Sequence, residues 1–566
     1  MSCNMSVELS TFTLDKYLFG RRHLHQFSNH PYFSNNFPIV YILYDARKKV
    51  GYVGESTNGL SRILNHLGNP NKNHLTNIYI IASPSFNKSA TLDIESNLIK
   101  YISADGHFSL LNANAGIVEH NYFQRKFYFE LFQKIWSKLD FETVKLKQIL
   151  DIDNSDLFKY SPYKSLSQDQ KLAVREYLKI LSGNDQSTTF IKGSAGTGKT
   201  IVAVYLMKLL VTKIDLDDYE DKEADDMIEL NLAQKVQEKF TNLKIAMVVP
   251  MSSLRKTLQT VFANVRGLSR SMVISPTEVS KSEYDIVLVD ESHRLKQRKN
   301  LVGYAAFDQA NTRLGLERTG TELDWLLKQS RHQLFFYDAK QSVRPSDIPE
   351  DVFSELRSRK NTHLLQLNSQ LRVHGGLDYI KFIHALLHDE LPQENIPTGD
   401  ANYDLRLYNS LEDLVRDLGG KENEFKLCRL VAGYAWPWVS KKTNRPDTVI
   451  DGVELYWNRI STEWINSQNA MHEMGCIHTT QGYDLNYAGV IFGNEIKYDK
   501  KLKRIYIDRN NYYDANGRNG ITDPQELHNY IINIYTTLMF RGIRGTYVYV
   551  CDNDLREYLA LHIKVY

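Results

Sequence analysis

One stretch of sequence decides the fold: Phe190-Ile191-Lys192-Gly193-Ser194-Ala195-Gly196-Thr197-Gly198-Lys199-Thr200. An apolar, strand-like entry leads into the pattern G-x-x-x-x-G-K-[ST], and apolar residues 201–210 follow as a predicted helix. The three glycines let backbone N–H groups turn inward onto phosphates, Lys199 brings a positive charge to the β/γ oxygens, and Thr200 can hold Mg²⁺. The helix that the loop opens also favours anions at its N-terminus. Residues 193–200 therefore predict a cradle for nucleotide phosphates.

An acidic motif follows a second apolar run downstream. The segment Asp285-Ile286-Val287-Leu288-Val289-Asp290-Glu291 contains four consecutive apolar residues, which predict a buried parallel strand. At the carboxyl end of that strand, Asp290 can hold Mg²⁺ while Glu291 orients the attacking water. Together with the phosphate loop, this motif predicts ATP hydrolysis with ATP and Mg²⁺ as cofactors.

Length, composition and charge exclude several other classes of protein. A chain of 566 residues is too long for one core, so several domains are expected. No apolar run approaches the ~20 residues that cross a bilayer, and residues 1–20 lack a continuous apolar core, so we expect a cytoplasmic protein without a secretory signal. The four cysteines lack C-x-x-C spacing, which argues against a disulfide framework or a zinc site. With a net charge of +2, nucleic-acid binding would need local basic patches.

The N-terminal part begins with a predicted β-hairpin. Strand-like residues 39–44 and 50–56 flank the polar turn 45–49. Residues 61–67 are helical in pattern and carry a cation and a base on adjacent turns, and the predicted helix 90–102 holds Glu95. This order resembles the GIY-YIG endonuclease domain over about residues 35–120, whose signature strands match Val40-Tyr41 and Tyr52-Val53-Gly54. The first motif lacks its glycine, and the second has Val53 in place of isoleucine.

The resemblance implies specific roles for four side chains. Arg62 would stabilise the charge on the phosphorane, Glu95 would hold one divalent metal, Mg²⁺ or Mn²⁺, and Tyr41 and Tyr52 would orient or activate water. A later asparagine of the family falls on Asn112 or on Asn114, two residues further on. One carboxylate can hold Mg²⁺ that keeps most of its waters, so the chemistry is sound. The alternative is a small α/β module whose tyrosines pack and whose Glu95 is a solvated helix residue.

A connector separates this module from the rest of the chain. Apolar residues in 122–150 recur at i, i+3, i+4 and i+7, which indicates an amphipathic helix between the modules, and the acidic residues 151–162 read as a linker. Gln170 then precedes the phosphate loop by about twenty residues and resembles the adenine-reading glutamine of helicases, which favours it over Gln168. An amide can donate to and accept from the adenine edge at once. The alternative for Gln170 is a solvated glutamine at the start of a helix, without contact to adenine.

Further segments resemble helicase motifs in their usual order. They are residues 251–256 (motif Ia, suited to strand phosphates), 333–341 (motif III, with Gln341 sensing the γ-phosphate), 367–372 (motif IV, with Arg372), 476–484 (motif V, with Gly482 at the nucleotide) and 535–545 (motif VI, with Arg541). This order fits a site shared between two RecA-like domains, in which Arg372 and Arg541 neutralise charge at the γ-phosphate.

Residues 166–566 therefore resemble the superfamily 1 helicases, and in detail a little-characterised bacterial family of P-loop helicase-like proteins. We expect the α/β class: a GIY-YIG-like module (1–122), a helical connector (123–165) and two RecA-like parallel-sheet domains (166–360 and 361–566). The expected function is an ATP-dependent nucleic-acid translocase or helicase coupled to a metal-dependent endonuclease, with DNA favoured over RNA, in anti-phage defence, restriction or repair. The alternative is a nucleotide-switched binding protein whose N-terminal module is not catalytic.

Overall fold

The computed structural model describes residues 11–27, 30–33, 36–112, 122–142, 144–213, 224–301, 303–338, 341–342, 344–391, 403–460, 464–467, 469–480 and 483–566. The chain divides into two compact units. The first comprises Met1–Asn184, Thr200–Leu243 and Thr257–Val273, and the second comprises Asp185–Lys199, Lys244–Lys256 and Ile274–Tyr566. Among the described residues, no helix is both long and apolar enough to cross a membrane.

In the first unit, described strands form a sheet in the order β1-β4-β2-β3-β5. Its strands are β1 (Thr13–Leu18), β2 (Ile39–Asp45), β3 (Val50–Ser56), β4 (Asn77–Ala82) and β5 (Ser109–Leu110). The helices in this stretch are α1 (Leu24–Phe27), α2 (Gly59–Gly68), α3 (Lys88–Asp105), α4 (Arg125–Lys138), α5 (Ile149–Asp153), α6 (Asp156–Lys159) and α7 (Gln168–Gly183). Strands β2 and β3 pair antiparallel, so the predicted hairpin is confirmed.

Helix α4 is shorter than the helix that the sequence pattern predicted. Its buried residues Tyr128, Phe132 and Ile135 lie in the same apolar core as Ile42 of β2 and Ile94 of α3. The large apolar side chains of α4 thus cover one side of the N-terminal sheet, because their burial is strongly favourable. Helix α4 is therefore part of the N-terminal core, whereas the sequence pattern predicted a connecting helix between the modules.

The phosphate loop belongs to a parallel sheet in the order β11-β6-β10-β9-β7-β8. Its strands are β6 (Ser187–Gly193), β7 (Ile245–Val248), β8 (Val273–Ile274), β9 (Tyr284–Val289), β10 (Ser330–Tyr337) and β11 (Thr362–Leu367). Helices in this stretch are α8 (Lys199–Val211), α9 (Ala224–Lys239), α10 (Ser252–Ala263), α11 (Pro276–Val279), α12 (Ala305–Arg313), α13 (Glu322–Gln329) and α14 (Glu350–Arg357). Strand β10 pairs parallel with both β6 and β9, as expected of doubly covered, apolar strands.

A third sheet has the order β12-β20-β17-β13-β16-β15-β14. Its strands are β12 (Asp404–Tyr408), β13 (Cys428–Ala432), β14 (Thr448–Ile450), β15 (Val453–Trp457), β16 (Glu473–Gly475), β17 (Leu485–Phe492) and β20 (Gly542–Val550); β18 (Ile496–Asp499) and β19 (Arg504–Ile507) form a separate hairpin. Its helices are α15 (Gly376–Leu387), α16 (Leu411–Phe425), α17 (Ile477–Thr480), α18 (Ala515–Arg518), α19 (Pro524–Met539) and α20 (Asn553–Ala560). Its central pairs are parallel, so the expected α/β class with RecA-like parallel sheets is confirmed.

Candidate nucleotide and nuclease sites

The phosphate loop has the backbone geometry of an anion cradle. Strand β6 ends at Gly193, and α8 begins at Lys199, with Thr200 as its second residue. Gly196 and Gly198 have φ angles of 84° and 77°, a region that side chains disfavour. A Cβ on Gly193 would lie 2.4 Å from the Thr197 Oγ1. The loop therefore needs glycine at these positions, and its backbone is free to face a phosphate chain.

Lys199 lies inside this loop. Its Nζ donates hydrogen bonds to the carbonyl oxygens of Gly193 at 2.7 Å and Ser194 at 3.0 Å. The same Nζ lies 4.0 Å from Oδ2 of Asp338. The ammonium is buried within the loop, and its contact with the β/γ-phosphate oxygens stays a prediction.

Parallel pairing brings the acidic residues to the same edge. Lys192 of β6 is opposite Tyr337 of β10, and Val289 of β9 is opposite Phe335 of β10. The residues that follow these strands therefore meet at the carboxyl ends, where open parallel sheets bind ligands. Asp290 follows β9 directly and is fully buried.

Glu291 is buried and held by cations. Its Oε2 lies 2.9 Å from Nε2 of His293. Burial by itself would raise the pKa of the Glu291 carboxyl, but His293, together with Lys199 and Arg541, outweighs burial and lowers that pKa to about 2. Glu291 is therefore an ionised acceptor, as a water-orienting carboxylate must be.

Gln341 is connected to Lys199 through one carboxylate. The Gln341 Nε2 donates to Oδ2 of Asp338 at 2.6 Å, and this is the oxygen that lies near Lys199. Gln341 is buried. The predicted sensor and the predicted phosphate-binding lysine thus share one partner at the end of β10.

A segment of motif IV lies directly on the phosphate loop. Gln370 Nε2 donates to the Ala195 carbonyl at 2.7 Å, and Leu371 N donates to the Gly196 carbonyl at 2.9 Å. A Cβ on Gly196 would lie 2.1 Å from Oε1 of Gln370. Gln370 was not among the predicted site residues. Its signal in the sequence was an amide placed two residues before Arg372.

The two predicted arginines are tied to motif V. Arg372 Nε lies 2.5 Å from Oδ1 of Asp484, and Arg541 Nη1 donates to the Tyr483 carbonyl at 3.3 Å. Leu485 N donates to the Arg541 carbonyl at 3.0 Å, because β17 and β20 are neighbouring parallel strands. Gly482, the predicted nucleotide contact of motif V, lies outside the described residues.

Gln170 has a local role in its own helix. Its Oε1 accepts a hydrogen bond from Ser167 N at 3.0 Å, which closes a capping box at the start of α7. Gln170 is fully buried, whereas Gln168 is exposed. The solvated alternative for Gln170 is therefore wrong, and its contact with adenine stays a prediction.

The residues at the phosphate loop fit ATP with Mg²⁺. Within the described ranges, no group of three or more His, Cys, Asp or Glu side chains could hold a metal by itself. Mg²⁺ is commonly bound by one or two protein oxygens together with substrate phosphates. That Asp290 and Thr200 hold the Mg²⁺ stays a prediction.

The N-terminal sheet carries a buried polar cluster. The Tyr41 hydroxyl lies 2.7 Å from Nε2 of His66, and the Tyr52 ring lies 5.0 Å from the His66 ring. Lys72 Nζ lies 3.9 Å from the centre of the Tyr52 ring. Both tyrosines are on the hairpin, and His66 is on α2.

Arg62 and Glu95 belong to the same cluster. Both are buried, and both act electrostatically on the Tyr41 hydroxyl, whose pKa is raised chiefly by burial. The alternative that Glu95 is a solvated helix residue is therefore wrong. A buried carboxylate without a compensating charge would be costly, so Glu95 has a role in this cluster.

His66 was given no role by the sequence, although it lies four residues after Arg62 on α2. Burial lowers its pKa to about 2, with further lowering by Lys72 and Arg62. The imidazole is therefore neutral near pH 7 and can accept a hydrogen bond from the Tyr41 hydroxyl. The signal that could have identified it is this i, i+4 spacing of a cation and a base.

Asn112 holds a strand in place. Its Oδ1 accepts from Val53 N at 3.0 Å, and its Nδ2 donates to the Val53 carbonyl at 2.8 Å. Both ends of the amide are thus used by the backbone of β3. Asn114, the other candidate, lies outside the described residues.

Known proteins similar to this chain include a yeast protein and several helicases. Uncharacterized protein YPL245W of Saccharomyces cerevisiae (strain ATCC 204508 / S288c) is 24% identical over 407 residues, which cover 65% of this chain and 83% of that protein. The Pif1 helicase from Bacteroides in complex with ADP-AlF3 and ssDNA matches at 9% identity and a TM-score of 0.26, covering 68% of this chain and 92% of that one. The Pif1 helicase from Candida albicans matches at 10% identity and a TM-score of 0.27, covering 70% and 96%.

These structural likenesses are weak, so the fold rests on the sheet topology described above. Residues 186–552, more than half of the chain, match the family described as Schlafen group 3, DNA/RNA helicase domain, and this range contains the phosphate loop, both acidic residues after β9 and both arginines. The chain belongs to the Schlafen group 3 DNA/RNA helicase domain family.

Proposed function

We propose that this chain is an ATP-dependent nucleic-acid translocase or helicase coupled to a metal-dependent endonuclease. The observation that carries the motor is the position of Asp338 Oδ2, 4.0 Å from Lys199 Nζ and 2.6 Å from Gln341 Nε2. A phosphate-binding cation and a polar sensor thus share one carboxylate beside Asp290 and Glu291. This arrangement supports phosphoryl transfer to water.

Each residue of the motor has a distinct task. Lys199 would move from the loop carbonyls onto the β/γ-phosphate oxygens, and ionised Glu291 would orient the attacking water. Arg541 and Arg372 would stabilise the charge that develops at the γ-phosphate. Bound Mg²⁺ would neutralise phosphate charge at Asp290 and Thr200.

The nuclease half of the proposal rests on the cluster around Tyr41. Neutral His66 can accept a hydrogen bond from the Tyr41 hydroxyl, which fixes that oxygen in a position to orient or activate a water. Arg62 would stabilise the pentavalent phosphorus, and Glu95 would hold the divalent metal. We place this activity on DNA, in anti-phage defence, restriction or repair, because a motor fused to a nuclease suits those tasks.

A second candidate is a nucleotide-switched binding protein with a non-catalytic N-terminal module. The specific observation in its favour is that Tyr41 is fully buried and Glu95 is only 7% exposed. A catalytic cluster must admit a phosphodiester and a metal. The binding-protein candidate therefore requires Tyr41 and Glu95 to stay buried when nucleic acid is bound.

One set of assays separates the two candidates. Cleavage and ATP hydrolysis are measured on single-stranded, duplex and forked DNA and on the matching RNA, with Mg²⁺ or Mn²⁺, with and without ATP. We expect Lys199→Ala to abolish hydrolysis and cleavage that requires duplex opening, while weak cleavage of single strands persists; the exposed Lys328→Ala serves as the control. Nucleic-acid-stimulated hydrolysis that survives in Lys199→Ala would refute the motor, and absence of metal-dependent cleavage by the wild type would favour the binding protein.

A further inference from the structure

We propose that residues 437–447, here called the basic loop, bind an unpaired nucleic-acid strand by stacking a base on Trp438 and holding phosphates with the cations that follow. This binding surface rests on the proposed function and deepens it by adding a strand contact outside the helicase motifs. The basic loop lies between β13 and β14, within the second unit. A chain with a net charge of +2 needs such a local patch to attract a polyanion.

The exposed charges of the basic loop are all positive. Lys441, Lys442 and Arg445 are exposed, and within the part of the chain that the structure describes none of the three forms an ion pair. The acidic residue of the loop, Asp447, is only 8% exposed, and its carboxylate accepts hydrogen bonds from backbone N–H groups. The loop therefore presents three uncompensated cations to solvent, which suits the phosphates of a strand.

Two tryptophans at the start of this stretch have different tasks. Trp436 is partly buried and packs against the core that contains Leu455 of β15, whereas Trp438 is 38% exposed. Lys441 Nζ lies 4.8 Å from the centre of the Trp438 ring, within the range of a cation–π contact. The buried indole thus anchors the chain and the exposed one is presented beside a cation. Exposed aromatic rings next to cations hold unpaired bases in proteins that bind single strands.

The tip of the basic loop is a closed turn. The Val439 carbonyl accepts hydrogen bonds from Lys442 N at 3.1 Å, from Thr443 N at 3.2 Å and from the Thr443 hydroxyl at 3.1 Å. Lys441 and Lys442 therefore lie together at the tip, in a shape that the backbone fixes. A preformed loop loses little conformational freedom when a strand binds, so more of the interaction energy remains as affinity.

Asp447 attaches the basic loop to the third sheet. Its Oδ1 accepts from Ser440 N at 2.8 Å, and its Oδ2 accepts from Trp457 N of β15 at 2.6 Å. Strand β15 pairs in parallel with β16, and motif V begins directly after β16. A nucleic-acid strand on the basic loop is therefore connected, through Asp447 and β15, to the strand from which motif V starts.

The chemistry of the basic loop selects an unpaired strand. In a duplex both faces of each base are covered by neighbouring bases, so Trp438 needs a base that is free of such stacking. Every base has a π-face and every nucleotide has a phosphate, so DNA and RNA are expected to bind alike. An acidic peptide would use the cations of the loop but would have no base to stack on Trp438.

The test compares an aromatic variant with a charge variant. Anisotropy of labelled 20-nucleotide dT and rU strands is measured over a salt series for the full chain. We expect Trp438→Ala to weaken binding about 5- to 20-fold at an unchanged slope of log K against log salt, because stacking involves no ion release. We expect Lys442→Ala to weaken binding about 2- to 5-fold and to reduce that slope by about 0.7, the contribution of one phosphate of a single strand.

Matched controls exclude general effects of exposed side chains. Tyr506→Ala and Lys328→Ala remove an exposed aromatic ring and an exposed ammonium outside the basic loop and should bind like the wild type. Trp438→Phe should restore most of the affinity, since a phenyl ring still stacks. Unchanged binding of dT and rU in both Trp438→Ala and Lys442→Ala would overturn the proposal.

A strand without bases separates stacking from charge. We expect the wild type and Trp438→Ala to bind a labelled abasic strand of the same length equally, and Lys442→Ala to bind it more weakly. A labelled polyglutamate chain tests the acidic peptide. If polyglutamate binds as tightly as dT and Trp438→Ala binds dT like the wild type, the loop takes an acidic peptide and the strand assignment is wrong.

ATP hydrolysis distinguishes failure of the loop from failure of the motor. Lys199→Ala should lose ATP turnover but still bind strands with the wild-type affinity and slope. If the wild type shows no strand-stimulated hydrolysis while the Trp438→Ala and Lys442→Ala effects appear as expected, the motor is wrong and the basic loop stands. If the wild type hydrolyses ATP and both loop variants bind strands normally, the motor stands and the basic loop is wrong.

Discussion

Arg372 and Asp484 form an ion pair beside the phosphate loop, with Nε 2.5 Å from Oδ1. The residues just before Arg372 bond the carbonyls of Ala195 and Gly196, and Asp484 directly precedes β17. One arginine is therefore anchored at once to the loop of one parallel sheet and to the entry of another. The ion pair fixes the direction of the Arg372 guanidinium, which in the proposed function stabilises charge at the γ-phosphate.

The first prediction follows from this pair. We expect Arg372→Ala to lower the maximal rate of nucleic-acid-stimulated ATP hydrolysis by about 10²- to 10³-fold, because a charge aimed at the transition state is lost. Asp484→Asn should cost less, about tenfold, since Arg372 stays but is no longer held. Steady-state hydrolysis and binding of a fluorescent ATP analogue measure the two effects. Arg359→Ala, at an exposed position just after α14, is the control, and loss of ATP binding in Arg372→Ala would contradict this role.

The second prediction concerns Gly54, which lies opposite Tyr41 in the hairpin. A Cβ on Gly54 would lie 2.3 Å from the Tyr41 hydroxyl oxygen, so Gly54→Ala must displace Tyr41 from His66. We expect a loss of about 1–3 kcal/mol in the unfolding free energy of the N-terminal sheet and loss of cleavage. Hydrogen exchange of β2 and β3 amides measures the first effect. Gly68→Ala is the matched control, because a Cβ there meets nothing within 4 Å.

The third prediction isolates the metal ligand of the proposed nuclease. We expect Glu95→Gln to eliminate metal-dependent strand cleavage, because a neutral amide loses the charge that holds the cation. ATP hydrolysis should remain at the wild-type rate. Glu130→Gln, exposed on α4, should change neither activity. Cleavage by Glu95→Gln at the wild-type rate with Mg²⁺ or Mn²⁺ would refute the nuclease assignment and leave a binding module.

The fourth prediction is a pH dependence of stability. Glu495 is fully buried, its Oε1 accepts the Tyr535 hydroxyl at 2.5 Å, and its Oε2 has no partner among the described residues. Burial raises its pKa to about 7. Since the folded state favours the protonated form, this contribution to stability is complete below the ordinary glutamate pKa of about 4.3 and is lost as pH rises to 7.

We therefore expect Glu495→Gln to gain stability over the wild type between pH 5 and pH 8, by up to about 3 kcal/mol. Denaturant unfolding of both proteins at several pH values measures this difference. The exposed Glu424→Gln should follow the wild type at every pH. A difference between Glu495→Gln and the wild type that does not change with pH would show that Glu495 stays ionised in the fold.

The phosphate loop and the acidic motif could be predicted from the sequence because their residues are adjacent in the chain. The spacing of Gly193, Gly198 and Lys199 and the apolar run before Asp290 define short stretches whose backbone and chemistry are set by neighbours in the chain. The hairpin of β2 and β3 could be predicted for the same reason, since a polar turn between two strand-like runs is a local signal. The parallel-sheet class followed from the order of these motifs.

Tertiary structure alone decided which distant side chains meet. Asp338 lies between Lys199 and Gln341 because β10 pairs with β6, and Asp484 meets Arg372 because β17 opens beside the phosphate loop. His66 became part of the Tyr41 cluster only once α2 packed on the hairpin. Sequence spacing carries the 3.6- and 2-residue periods of single elements, but parallel pairing joins residues more than a hundred positions apart, and no local pattern records that register.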